Sequence, residues 1–387
     1  MKTTLSVVMT LSLALLSQSA SAITWYVDQA NGDDLDDGQT PTTAFATMTQ
    51  ALSVFADGDD IQVGAGVYGP SSGEIFPLSY LGTRMEIQGA GPGLTIFDGE
   101  GVAQVMSLQS PETIELFLSS VAIVDGASAI GAGISIGEPS VVEVTNVRFE
   151  GNDGNIGGAF HAQINRDADA VMGFTDTVFI NNEAAIGPGL HVQQNGSGIH
   201  DVTVHRSEFT GHNRPAITVS QNGGGSVMLV RSSIIDASRG DAISTRMGEL
   251  TIENCTIVGT RPVIQMDGAL TVVNSILVAT SATNVIQGSG GQIRDSILIP
   301  LSIDDHTAGP NLIDDDPLLT PTYRLTKNSP ARDRGDDSTV RITESDIDGE
   351  DRVIGTMTAG GALGLVDLGA DEFDPRPVFR DGMEEPE

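Results

Sequence analysis

The sequence holds a single cysteine, Cys255, so an internal disulfide is excluded. Lysine is almost missing: only Lys2 and Lys327 occur. Aromatic residues make up 4% of the 387 positions, which argues against a few large aromatic cores. Beyond the first residues, no run is long and apolar enough to span a membrane. Positive charge is scarce, with 19 Lys and Arg against 52 Asp and Glu and a net charge of −33. Such a surface repels nucleic acid and anionic membranes. It also repels an anionic polysaccharide unless calcium or a local Arg cluster intervenes. Glycine, by contrast, is abundant at 46 residues, which suits many tight turns and stacked aliphatic columns.

The stretch from Val142 to Gln221 organises the rest. Three segments, starting at Val142, Met172 and Val202, superpose at offsets of 30 residues each, and shorter copies continue to Leu298. Val144, Phe174, Val204, Leu229, Ile252, Val272 and Ile293 form one apolar column. Phe149, Phe179, Phe209, Ile234, Ile257, Leu277 and Leu298 form another. Their neighbours are mostly polar, which is the strand period of two. Between them runs Asn146, Asp176, Arg206, Arg231, Asn254, Asn274 and Asp295, a bend column because Asn and Asp tolerate left-handed backbone. A small column follows: Val147, Thr177, Ser207, Ser232, Cys255, Ser275 and Ser296. A repeat of strands and turns at this period reads as a β-solenoid, whose coils bury their apolar columns only by stacking. About ten coils at the usual strand spacing would give a rod on the order of 50 Å long. Cys255 reads as a buried structural thiol. The pattern resembles the right-handed parallel β-helix of the pectin-lyase-like superfamily, and the handedness comes from that resemblance. The expectation is an all-β parallel β-helix with a short N-terminal capping helix and a C-terminal cap.

In chain order, residues 1–22 read as a secretory signal peptide: Lys2, an apolar run from Leu5 to Leu16, and a small-residue site at Ala20-Ser21-Ala22. No cysteine follows the run, which speaks against a lipoprotein anchor. Residues 23–60 read as an N-terminal cap, with a strand at Trp25 to Val27 and a short helix carrying Phe45, Met48, Leu52 and Phe55. Thr47 and Gln50 have capping-box spacing. Tyr26-Val27-Asp28, Asn31-Gly32, Asp37-Gly38, Phe45-Ala46-Thr47 and Gly58-Asp59 through Gly64, Gly66 and Tyr68 resemble the DUF1565-type segment that precedes many bacterial β-helices. The loop between Asn31 and Gly38 offers Asp33, Asp34, Asp36 and Asp37 as calcium ligands.

Residues 61–320 read as the solenoid. Its first coils look irregular, with strands at Ile87 to Gly89 and Thr95 to Gly99 and another coil over Leu116 to Ile136. In the regular coils a third strand carries an outward ladder: His161, His191, Thr218, Ser244 and Gln265, and two residues on Gln163, Gln193, Ser220, Arg246 and Asp267. Loops entering it add Asp153, Glu183 and His212. Ligand contacts are expected from His161, Gln163, His191, Gln193 and Arg246, and any catalysis from His161, His191, Asp153 or Glu183. The phrases at Phe149 to Asn152, Phe179 to Asn182 and Gly157 to Phe160 also resemble repeats of polymorphic outer-membrane adhesins, but no room follows residue 320 for their translocating barrel.

Residues 321–374 leave the repeat. Tyr323 to Leu325, Ser329 to Ala331, Asp333, Gly335, Asp346 to Gly349, Arg352, and Val366 to Ala370 with Glu372-Phe373 resemble the choice-of-anchor Q region that closes many secreted β-helix proteins. Asp346, Asp348 and Asp351 offer a second set of calcium ligands. The Pro- and acid-rich tail, residues 375–387, contains Phe379 to Glu384, which resembles short endings of some Gram-negative secreted proteins. Together these features imply an exported, monomeric protein of a Gram-negative bacterium.

Relatives on this fold include polysaccharide lyases and glycoside hydrolases. A lyase needs a Lys or Arg base and a cation for the uronic carboxylate. No Lys lies in the coils, and Arg206, Arg214, Arg246 and Arg261 sit in no familiar motif. A hydrolase needs two suitably spaced carboxyls, which Asp153 and Glu183 could supply, but the Asn-x-Asp, Asp-Asp and Gly-His-Gly landmarks of polygalacturonases are missing. The reading that follows is a non-catalytic protein that binds polysaccharide or a cell-surface component, with a lyase or hydrolase as the alternative.

Overall fold

A computed structural model describes residues 22–221, 226–237, 239–246, 248–340, 344–352 and 366–373. The segment expected to be a signal peptide, up to residue 21, and the C-terminal tail lie outside the described residues. Each regular coil has three strands, as in Pro139–Thr145, Arg148–Glu150 and Phe160–Ile164. The next coil repeats them at Ala170–Thr175, Val178–Ile180 and Leu190–Gln194. Coil pairs with coil in parallel register, giving a β-solenoid with three faces, called here first, second and third in chain order. The second face is an 11-stranded sheet. The first and third merge into 20 strands, because Ile286–Arg294 runs through their shared corner.

The columns become ladders of buried residues. Val144 pairs with Phe174 and Phe174 with Val204 on the first face. Phe149, Phe179 and Phe209 stack on the second, with ring centroids 5.0 and 4.3 Å apart and planes 7° from parallel. The ladder also reaches back through the coils that look irregular in sequence: Ile87 pairs with Leu118, and Leu118 with Val144.

The bend column is left-handed throughout, at Asn146, Asp176, Arg206, Ser232, Asn254, Asn274 and Asp295. Ser232, not Arg231, holds the corner in the fourth regular coil. That coil therefore sits one residue later than the repeat suggests. Val230 and Ile235 are the inward residues, while Leu229 is only partly buried. The small column shifts with it, to Ser233. Its purpose is then visible. The backbone N–H of Thr177 donates to the Ser207 hydroxyl, Ser207 to Ser233, Cys255 to Ser275, and Ser275 to Ser296. Each corner thus satisfies a buried donor of the coil before it.

At the other end of the second face, Asn152 and Asn182 are fully buried. Asn182 Oδ1 accepts from the Asn152 backbone N–H and from its Nδ2, and Asn182 Nδ2 donates to the Phe149 carbonyl. His212 takes this place in the third regular coil, its Nδ1 bonded to the Asn182 carbonyl.

The capping helix spans Met48–Val54, with Thr47 Oγ1 accepting from the Gln50 N–H. Glu74 accepts from the N–H groups of Met48 and Thr49, a carboxylate at a helix N-terminus. Phe45 is not on the helix as its spacing suggested. It bridges Val27 and stacks on Trp25, closing the first edge strand.

The C-terminal segment closes the rod from the side. Leu325, Ala331 and Leu368 pack against Ile276 and Ile297 on the outward side of the second face. Arg352, fully buried, donates to the carbonyls of Asn254 and Ala370, with the Glu372 carboxylate 3.9 Å away. Arg324 bridges Glu208 of the coils and Asp348 of the strap. The strap therefore runs back from the last coils as far as Glu208.

Candidate functional site

On the third face the inward residues of Phe160–Ile164 are Phe160, Ala162 and Ile164, which turns His161 and Gln163 outward. His161 pairs in register with His191, and Gln163 with Gln193. The structure thus brings together four of the expected site residues on adjacent rungs.

The histidines of the outward ladder are nonetheless buried: each is only 2% exposed. Gly157 and Gly187, both at positive φ, lie directly over their Cβ atoms, where any side chain on the glycines would collide. The entering loops fold over the strand instead of standing beside it. The imidazoles stack with centroids 4.9 Å apart, and their Nδ1 atoms are 2.9 Å apart. Such a bond needs one Nδ1–H and one lone pair, so two neutral rings making it carry opposite tautomers. Burial pushes His161 down to about 4 and His191 to about 3, the latter helped by its neighbour. Among the described residues, neither has a carboxylate partner to orient it as a general base.

Asp153 and Glu183 bridge each other in a parallel step of the loop stack and are exposed. Arg246 is exposed and follows the strand Ile243–Thr245. It lies three rungs beyond Gln163.

The register also adds residues that the repeat alone did not place. Ser79 pairs with Ser107, Ser107 with Ser135, and Ser135 with His161. Thr218 pairs with Ser244, Ser244 with Gln265, and Gln265 with Gln287. The outward column is therefore nine rungs long, and none of its members carries a charged side chain. Beside it, Gly137, Gln163, Gln193 and Ser220 continue the same character over four rungs, with Gln109 packed against Gly137. Serines recur at one position of the early coils, but that signal appears only once those coils are aligned.

Elsewhere charged outward positions are interspersed with uncharged ones, such as Thr203, Thr251 and Thr271 on the first face. The first face carries Arg84, Glu86, Glu115, Glu143, Asp201 and Glu249. An open hollow of ≈ 420 Å³ lies there, lined by Asp57, Thr83, Arg84, Glu115 and Ser140. Its polar groups are engaged: Asp57 accepts from Tyr80, Thr83 and Arg84, and Arg84 pairs with Glu86 and Glu115 while lying 4.3 Å over the Phe117 ring.

The acidic loops are organised as turns and caps. Asp34 accepts from the N–H groups of Ala46 and Thr47 and from the Thr47 hydroxyl, using both oxygens. Asp33 accepts from Leu35 N–H, and Asp37 from Gln39 N–H and Thr43. Asp36 is exposed. Asp346 accepts from Asp348, Glu350 and Glu372 N–H groups, and Asp348 pairs with Arg324. Among the described residues, no three His, Cys, Asp or Glu side chains converge as metal ligands. Asp33, Asp34, Asp37 and Asp346 thus accept from backbone N–H groups, and Asp348 faces a guanidinium.

A family profile described as "Protein of unknown function (DUF1565)" matches residues 30–293. The chain belongs to the DUF1565 family. The match extends well past the N-terminal segment that carried the resemblance and takes in most of the solenoid, so the DUF1565 region includes the whole candidate face up to Gln287. No protein of curated function matches the chain. Among solved structures, a rhamnogalacturonan lyase is 13% identical at a TM-score of 0.37, covering 73% of this chain and 89% of its own. A pectate lyase is 10% identical at 0.42, covering 92% and 97%. A lacto-N-biosidase from Eubacterium ramulus is 8% identical at 0.27, covering 76% and 65%. Likenesses of this size carry no functional argument. Among the described residues, no helix is long and apolar enough to cross a membrane.

Proposed function

We propose that this DUF1565 protein is a non-catalytic binding solenoid, exported from the cytoplasm, whose third face docks an extended cell-surface or polysaccharide partner. One observation carries the reading: the nine-rung outward column of hydrogen-bonding, uncharged side chains, in register at the strand spacing. A repeating partner can meet the open rungs of such a column in turn, with His161, His191 and Thr218 sunk between them. The histidines within it are neutral and, among the described residues, lack a carboxylate, so the column holds no acid–base pair. The segment at residues 1–22 supports export, and the strap at residues 321–374 fits the region that closes secreted β-helices.

The enzymatic alternative rests on a different observation, the exposed Asp153 and Glu183 on adjacent steps. Incubating the mature protein with a panel of polysaccharides, with and without calcium, separates the two. Binding in a pull-down without new reducing ends or unsaturated products supports the proposal. Cleavage that Glu183→Gln or Asp153→Asn abolishes overturns it and places an active site on the loop stack.

A further inference from the structure

The third face also points to the chemistry of its partner, an inference that rests on the binding reading above and narrows it. The column from Ser79 to Gln287 consists of four serines, two histidines, a threonine and two glutamines. Beside it, Gln163, Gln193 and Ser220 keep the same character. On this face charge enters the outward positions only late, at Arg246 and Asp267 among the described residues. The chain around it has 52 acidic residues and a net charge of −33. The first face places Glu86, Glu115, Glu143, Asp201 and Glu249 among its outward residues, whereas the nine-rung column carries no charge.

We infer that the partner is a neutral, hydroxyl-rich glycan lying along the solenoid axis over the uncharged column. Three classes of ligand separate on this surface. An anionic polysaccharide needs cations, and the rungs from Ser79 to Thr218 offer none, within a strongly negative whole-molecule field. A basic peptide would be drawn to the acidic first face, at Glu115, Glu143, Asp201 and Glu249. A neutral glycan presents hydroxyls that each donate and accept, and every group of the column answers in kind. Ser, Thr and Gln do both. The histidine pair does so jointly: the ring that gives its Nδ1–H leaves Nε2 bare, and its partner carries Nε2–H. Neither Nε2 is a buried, unpartnered atom. The middle rungs, His161, His191 and Thr218, are sunk to 2%, 2% and 9% exposure, which strengthens hydrogen bonds made there. Nine rungs at the strand spacing span roughly 38 Å, room for a chain of several sugar units.

Affinity electrophoresis of the mature protein through gels containing laminarin, dextran or mannan, against polygalacturonate and alginate, tests this. At least one neutral glycan should retard the protein, equally at low and high salt, and the acidic ones should not. The double variant Gln163→Ala/Gln193→Ala should weaken retardation about tenfold or more, two hydrogen-bonding groups being lost. Gln193→Glu, which keeps the size and adds one charge, should weaken it too, with circular dichroism unchanged. Retardation by acidic glycans alone overturns the inference while leaving the binding surface in place. Neutral binding that both variants leave unchanged overturns the inference and the surface together. No retardation by any glycan overturns the inference. In that case, capture on whole cell-wall material that Gln193→Glu abolishes would still keep the surface.

Discussion

Asn182→Ala tests the reasoning about how the coils are held in register. The side chain is fully buried and bonds only to the coil before it: Oδ1 takes the Asn152 N–H at 3.0 Å and Asn152 Nδ2 at 2.8 Å, and Nδ2 reaches the Phe149 carbonyl at 3.0 Å. Asn152 Nδ2 keeps the Ile123 carbonyl as a partner. The Asn152 backbone N–H has no replacement in a site closed to water, and the Phe149 carbonyl loses a donor. A buried group left unsatisfied costs about 1–3 kcal/mol, so the substitution should cost roughly 2–4 kcal/mol. In a solenoid the loss is felt first by neighbouring coils, because each contacts only the next. Urea unfolding followed by far-UV circular dichroism, with hydrogen exchange of the amides in Arg148–Glu150 and Val178–Ile180, measures both the size and the place. Asn165→Ala, which removes exposed hydrogen bonds to Glu138 and Asn195, is the control and should change stability by less than about 0.5 kcal/mol. If Asn182→Ala is as harmless as that control, the buried asparagine ladder does not hold the coils.

Three further outcomes follow from the same structure. Burial pushes the Cys255 thiol up to about 12, so a thiol reagent should fail to label the native protein and label it fully in denaturant; rapid native labelling would place the corner at the surface. Burial raises Asp371 to about 6, while its carboxylate accepts from the Leu325 N–H. A raised folded pKa means its contribution is complete below the unfolded value, near 4, and is lost as pH rises through about 6; strap proteolysis should therefore accelerate over that window in the native protein but not in Asp371→Asn, and equal profiles would refute the assignment. Ile297→Asp places a charge between the second face and the strap, so the strap should become protease-sensitive while β-structure is retained; an unchanged digestion pattern would mean that the apolar contact does not hold it.

The sequence carried the inward columns and the corners well, because a two-residue strand period and a left-handed Asn or Asp leave strong local marks. Those marks fail where other chemistry takes their place. Arg206 and Ser232 hold left-handed corners without an amide, and the run Arg231-Ser-Ser-Ile-Ile235 permits two alignments, of which the sequence favoured the wrong one. The strap leaves its own mark in the sequence: Ile276-Leu-Val278 and Ile297-Leu-Ile299 are apolar at every position, so both sides of those strands need cover. His161 and His191 show the limit of periodicity. Their outward direction follows from alternation, but their burial depends on loops folding back at Gly157 and Gly187, a tertiary fact. Phe45 likewise fits the helical spacing and pairs as a strand.

One charge placed on each face in turn tests the central claim most directly. Gln193→Glu alters the third face, Thr203→Glu the first and Val178→Glu the second, at outward positions of neighbouring coils. Binding to the retained polysaccharide and release of reducing ends would be measured on the same samples. The account predicts that only Gln193→Glu loses binding and that no sample releases product. Binding lost from the first or second face, or product from the native protein that survives Gln193→Glu, would contradict it.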